Sequence, residues 1–125
     1  MLYMLDTNIC GYIIKNKPQT IKEKLKEIAT HHTIGLSSIV VGELIYGAKK
    51  KASPQLYEIV LSFIANFTIY DFNQNGAFEY GNIRDDLEKK GTTIGANDLL
   101  IAAHAKALNA ILVTNNEKEF KRVVG

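Results

Sequence analysis

Apolar residues run almost unbroken from Met1 to Leu5 and stop at Asp6-Thr7-Asn8. Such a run suits a central strand covered on both faces, and the residues that end it favour turns and helix N-caps. Thr7 to Ile14 then predicts a short helix. Pro18 opens a second helix, amphipathic over 19 to 29, with Ile21, Leu25 and Ile28 opposite Lys22, Glu23, Lys24, Lys26 and Glu27. Thr33 to Leu36 predicts a second strand, and Ser37 or Ser38 caps a helix running from Ile39 through Tyr46. Pro54 starts a helix that is apolar around most of its circumference, and Phe67 to Phe72 predicts the third strand. A long helix over 74 to 90 turns Tyr80, Ile83 and Leu87 inward, and Gly91 stops it. Asp98 opens an alanine-rich, largely buried helix that reaches Leu108, and Ala110 to Val113 predicts a fourth strand. Strands alternating with helices in this way predict an α/β fold around a parallel sheet.

Length changes this picture little, since 125 residues fit one domain spanning 1–125. The single cysteine, Cys10, rules out an internal disulfide; among Ile9, Ile13 and Ile14 it reads as a buried structural thiol. The chain has neither a basic segment before its first apolar run nor 18 consecutive apolar residues, so a soluble, cytoplasmic protein without membrane contact is expected. A net charge of +2 decides nothing about partners, although 15 Lys+Arg against 13 Asp+Glu leave room for a local basic surface. Lys49, Lys50 and Lys51 form one such basic end.

Three acids stand out by position. Asp6 sits where the first strand runs out, Glu43 lies among Ile39, Val40, Tyr46 and Gly47 on a helical face that should be buried, and Asp98 falls in the first turn of an apolar helix. Each has an ordinary explanation. Asp6 or Thr7 can cap the next helix, Glu43 can pair with a lysine, and Asp98 is favoured by the helix dipole. His31 and His32 suit a helix C-terminus, and His104 reads as a hydrogen-bonded buried histidine. Taken together, however, strand-end acids in alternating βα units can meet in one cleft. Grouped carboxylates select Mg²⁺ or Mn²⁺, and the absence of a Cys/His cluster argues against zinc. Such an ion beside basic surface is the equipment for phosphodiester chemistry.

The order Leu5-Asp6-Thr7-Asn8, Ser38-x4-Glu43-Leu44-x2-Gly47-Ala48, Asn97-Asp98-x2-Ile101-Ala102-Ala103 and Val113-Thr114-x-Asn116-x3-Phe120 resembles the PIN domain, and more narrowly the VapC toxins of bacterial toxin–antitoxin pairs. The resemblance runs the whole length of the chain. It implies a PIN-like α/β fold, with a mostly parallel sheet of four to five strands flanked by helices. It also implies a Mg²⁺- or Mn²⁺-dependent endoribonuclease, with structured RNA as substrate and a transfer RNA anticodon stem-loop as the foremost candidate, held inactive by a VapB-type antitoxin. By motif position Asp6, Glu43 and Asp98 are the metal-binding acids, with Thr7 beside the first. Many PIN domains carry an aspartate where this chain has Asn116; Glu119, one helical turn on, is expected to supply part of the missing charge. The apolar second side of the helix from Pro54 fits a homodimer within a larger toxin–antitoxin complex, or else a purely intramolecular core. A receiver domain would need paired acids where Asp6-Thr7 stand, and an Asp-x-Asp phosphatase fails at Asn8. The remaining alternative is a non-catalytic PIN-like module that only binds RNA.

Overall fold

The computed structural model describes residues 1–15 and 19–114. In chain order the elements are β1 (Leu2–Leu5), α1 (Thr7–Lys15), α2 (Gln19–Ala29), β2 (Thr33–Ser37), α3 (Ser38–Lys50), α4 (Pro54–Ile64), β3 (Thr68–Tyr70), α5 (Gln74–Lys90), α6 (Ala96–Ala107) and β4 (Ile111–Val113). The four strands form one parallel sheet in the order β3-β2-β1-β4. The helix start expected at Pro18 lies outside the described residues.

β1 is central, with Met4 opposite Gly35 of β2 on one flank and Leu112 of β4 on the other. Its end is covered on both faces, Met4 and Leu5 being fully buried, as the unbroken apolar run requires. From β1 the chain steps outward through β2 to β3. It then passes through α5 and α6 and returns on the opposite flank as β4. The strand order therefore reverses between β1 and β4, and at such a point a crevice opens beyond the carboxyl ends of the strands.

One hydrophobic cluster ties Leu5 and Leu36 of the sheet to Ile9 and Cys10, Leu25, Val40 and Leu44, Val60 and Ile64, and Ile101 of α6. A smaller one joins Ile83 and Leu87 of α5 to Leu99 and Ala103 of α6. The outer face of α5 carries three i,i+4 ion pairs, Arg84–Glu88, Lys89–Asp85 and Lys90–Asp86, a solvated face with little energetic weight. Gly91 ends that helix in the left-handed conformation at φ 67, which glycine adopts without a steric penalty. Ser37 caps α3 by accepting from the Ile39 amide, and Ser53 caps α4 with Pro54 in its first turn.

Two strand expectations need correction, and a third question is settled. The third strand is limited to Thr68–Tyr70 because Phe67 precedes it in a turn and Phe72 leaves the ladder, its amide donating to the Ser38 hydroxyl. The fourth strand begins at Ile111, after Asn109 has taken a positive φ and the Ala110 amide has bonded the Ala105 carbonyl. α4 buries Val60 and Ile64, but Ile59 and Leu61 on its other side are exposed within this chain. No described helix is long and apolar enough to cross a membrane.

Gly35 shows why its position takes no side chain. A Cβ there would stand 2.5 Å from the Tyr70 ring and 3.2 Å from the Thr68 carbonyl oxygen across the β2–β3 ladder. Gly35→Ala is therefore expected to lower unfolding stability by about 1–3 kcal/mol in urea titrations. Much of that loss should disappear in the background of Tyr70→Ala, where the ring is gone, as a double-mutant cycle would register.

Candidate active site

Asp6 follows the last residue of β1 and is drawn into the crevice by its own backbone, whose amide donates to the Val113 carbonyl at 3.1 Å. Its side chain is almost fully buried at 2 % exposure. One carboxylate oxygen accepts from the Ile9 amide at 2.8 Å, which makes Asp6 the cap of α1, as its ordinary explanation anticipated. The other oxygen accepts from the hydroxyl of Thr114, just beyond β4. The cap and the crevice thus use different oxygens of one carboxylate.

Glu43 comes from α3 and is half-buried rather than enclosed. The lysine partner considered for it is not what holds it. Its Oε1 accepts from Thr7 at 2.7 Å, and its Oε2 accepts from the Asn97 amide at 3.2 Å. Thr7 adjoins Asp6 and Asn97 adjoins Asp98, so one carboxylate is strapped to the neighbours of both other acids. Asp98 itself lies half-buried in the first turn of α6. Asn116 and Glu119 lie outside the described residues.

Two site residues were not assigned from the sequence, although both stand in motif segments. Thr114 and Asn97 carry no charge and sit in polar stretches, and their role is visible only through contacts with Asp6 and Glu43, 108 and 54 residues away. The structure brings together Asp6, Thr7, Glu43, Asn97 and Thr114. Among the described residues no three His, Cys, Asp or Glu side chains stand close enough to cage a metal ion. The arrangement is a set of neighbouring acids held by neutral donors.

The electrostatics follow from that arrangement. Burial is the main force raising the Asp6 pKa above its usual carboxylate value; the Thr114 and Ile9 donors oppose it, and the nearby Glu43 charge adds to it. Cys10, one turn on, is fully buried, and burial together with the Asp6 charge pushes its thiol pKa up. That confirms the reading of Cys10 as a structural thiol and leaves it without nucleophilic character. From Thr7 and Glu43 a groove of about 300 Å³ leads away between α1, α3 and α4, past Gly11, Leu44, Gly47 and Val60, with Lys15 and Lys51 in its lining.

A raised folded-state pKa means that the native protein binds the Asp6 proton more tightly than the unfolded chain does. The contribution of Asp6 to stability is therefore lost as pH rises through its folded pKa. Asp6→Asn removes that charge at nearly constant shape, so in metal-free buffer at pH 7 it should melt at the same temperature or higher. The gap between variant and parent should close as the pH is lowered toward 4. Calorimetric melting curves across that range check both statements; an unfolded Asn variant would contradict them.

The sequence matches the PIN domain family model over residues 3–125. It is 49% identical over 124 residues to Ribonuclease VapC2 of Rickettsia felis, covering 98% of this chain and 92% of that protein. It is 41% identical over 124 residues, with the same coverage, to the tRNA(fMet)-specific endonuclease VapC of Salmonella typhimurium. The fold superposes with a TM-score of 0.93 on the crystal structure of VapBC2 from Rickettsia felis bound to a DNA fragment from its promoter, at 49% identity and covering 98% of this chain and 93% of that one. With its four-stranded parallel sheet and its acids at the point of strand reversal, the chain belongs to the PIN-domain family, in the branch of the VapC-type ribonucleases.

Proposed function

We propose that this chain is a metal-dependent endoribonuclease toxin that cuts structured RNA, with a transfer RNA anticodon stem-loop as its target, and that a VapB-type antitoxin silences it. The observation that carries the reading is the hydrogen-bonded acid set at the crevice: Asp6 held by Thr114 and Ile9, Glu43 by Thr7 and Asn97. The substrate class draws support from the Salmonella typhimurium relative, which is named for tRNA(fMet). The partner draws support from the Rickettsia felis relative, which was solved as a VapBC complex.

The chemistry of the donors suits a hard divalent cation, although among the described residues no three of them stand close enough to cage one. The donors are carboxylate oxygens, and among the described residues neither Asp6 nor Glu43 forms an ion pair with lysine or arginine. Asp6, Glu43 and Asp98 are the residues that would hold Mg²⁺ or Mn²⁺, with Asn116 and Glu119 tuning a second, weaker ion. When bound, the cation would orient the scissile phosphate, ease deprotonation of the attacking water and stabilise the leaving oxygen. Thr114 and the Ile9 amide fix the Asp6 carboxylate; Thr7 and Asn97 fix Glu43 from opposite sides. Lys15 and Lys51 attract the RNA backbone toward the groove that begins at Thr7 and Glu43. The same groove gives an antitoxin its seat, where an arginine or lysine of that partner would reach the acids and take the place of the cation's charge. Exposed Ile59 and Leu61 on α4 give a second copy of the chain an apolar surface for a homodimer.

Incubation with mixed cellular RNA tests the reading. Cleavage is expected with Mg²⁺ or Mn²⁺ and should vanish with chelator, and sequenced ends should fall in transfer RNA anticodon loops. Full cleavage in excess chelator would overturn the metal mechanism, and cuts scattered over messenger RNA would overturn the substrate. Asp98→Asn should keep the fold and lower the cleavage rate by roughly a hundredfold or more, since it removes negative charge that would hold the cation. In calorimetric titrations with Mn²⁺, Asn116→Asp should tighten binding; an unchanged isotherm would remove Asn116 from the site.

A further inference from the structure

Outside the acids the least expected groups are two buried polar side chains. Ser37 and His104 are 0% and 1% exposed, and the His104 Nδ1 lies 2.7 Å from the Ser37 hydroxyl. The other ring nitrogen, Nε2, is buried without a hydrogen-bond partner among the described residues. Burial holds the imidazole pKa below its ordinary value, against a smaller upward pull from Asp71, so the ring is neutral near pH 7. Burying a hydrogen-bonding ring at 1% exposure costs desolvation that a leucine at 104 would avoid. Packing alone does not account for the pair.

Its position does. Ser37 is the N-cap of α3, the helix that carries Glu43, while His104 lies on α6, the helix that carries Asn97 and Asp98. The two helices are joined by two hydrogen-bonded rungs, Ser37 with His104 and Glu43 with Asn97. Glu43 follows Ser37 by six residues, and Asn97 precedes His104 by seven. At 1.5 Å per residue the rungs are thus about 9 Å apart along one helix and about 10 Å along the other. The helices run in opposite directions, and the rung spacings match. Between the rungs, Val40 and Ile101 belong to the same core cluster at 0% and 1% exposure. Apolar packing of that kind resists separation but specifies sliding poorly, whereas a directional bond fixes position. Phe72 closes the corner: its ring meets the His104 ring edge-on with centroids 5.4 Å apart, and its amide donates to Ser38.

We propose that the buried Ser37–His104 hydrogen bond is a positioning device that sets the axial register of α6 against α3 and so holds Asn97 and Asp98 opposite Glu43. A slip of one residue would move the first turn of α6 by about 1.5 Å and turn it by about 100°, enough to break the Asn97–Glu43 bond and displace Asp98 beside it. The functional part of this inference rests on the nuclease reading; the register itself does not.

Three variants test it. His104→Asn places an amide where Nδ1 lies, His104→Gln carries its amide beyond reach of Ser37, and His104→Leu removes the polar group at similar volume. The first readout is the NMR signal of the Asn97 side-chain amide in the metal-free protein, which reports its bond to Glu43. The second is the split of RNA cleavage into kcat and KM. The Gln and Leu variants should shift the Asn97 signal and lose about ten- to a hundredfold in kcat with KM little changed, the scale expected for misplacement of about 1 Å. Asn should restore both readouts. Should Leu fail to fold, Gln carries the comparison. A parental Asn97 signal and kcat in folded Gln or Leu variants would overturn the proposal, as would an Asn variant impaired to the same degree as Gln. If the parent protein cuts no RNA, the nuclease reading falls and the Asn97 signal alone decides the register.

Discussion

A carboxylate buried at the end of the central strand is the constraint around which this fold is arranged. Asp6 stands at 2% exposure beside a second acid, so the ionised form is supported only where donors converge on it. The fold brings two donors from different directions: the Ile9 amide from the start of α1 and the Thr114 hydroxyl from the end of β4. The second is available because β4 lies against β1 with Leu5 opposite Val113, which brings the residues after both strands side by side. Strand order, strand register and the helix start are thus all read out at a single side chain.

Glu43 shows a different solution to the same problem. It is half-buried and held by neutral groups, a hydroxyl and an amide, in place of a lysine. Neutral donors orient a carboxylate while leaving its charge uncompensated, as the proposed cation site would require. A buried salt bridge would have satisfied the charge and closed the site.

Much of the architecture was legible in the order of residues. The amphipathic period set the span of the helix over 19 to 29, Gly91 marked the end of α5, and apolar runs located all four strands. Strand ends were less legible, because what removes Phe72 from the third strand is its amide's bond to Ser38, 34 residues away. The acids themselves were visible because a charged residue in an apolar run contradicts its surroundings. Thr114 and Asn97 were passed over for the opposite reason: neutral polar residues in polar stretches contradict nothing. His104 was read as buried and hydrogen-bonded, as it is, but no local pattern could name Ser37 as its partner, 67 residues away.

The bond between Asp6 and Thr114 joins residues 108 positions apart, so the first strand of the chain is completed by its last described one. Until β4 has been synthesised, β1 remains an open sheet edge and the Asp6 carboxylate lacks its hydroxyl partner. Contacts of such long sequence separation form late and slowly, after the local helices. The crevice is therefore absent from every shorter nascent chain, whatever part of the sheet has already paired. For a protein of a ribonuclease family, this order of assembly leaves the acid site incomplete until β4 has joined the sheet.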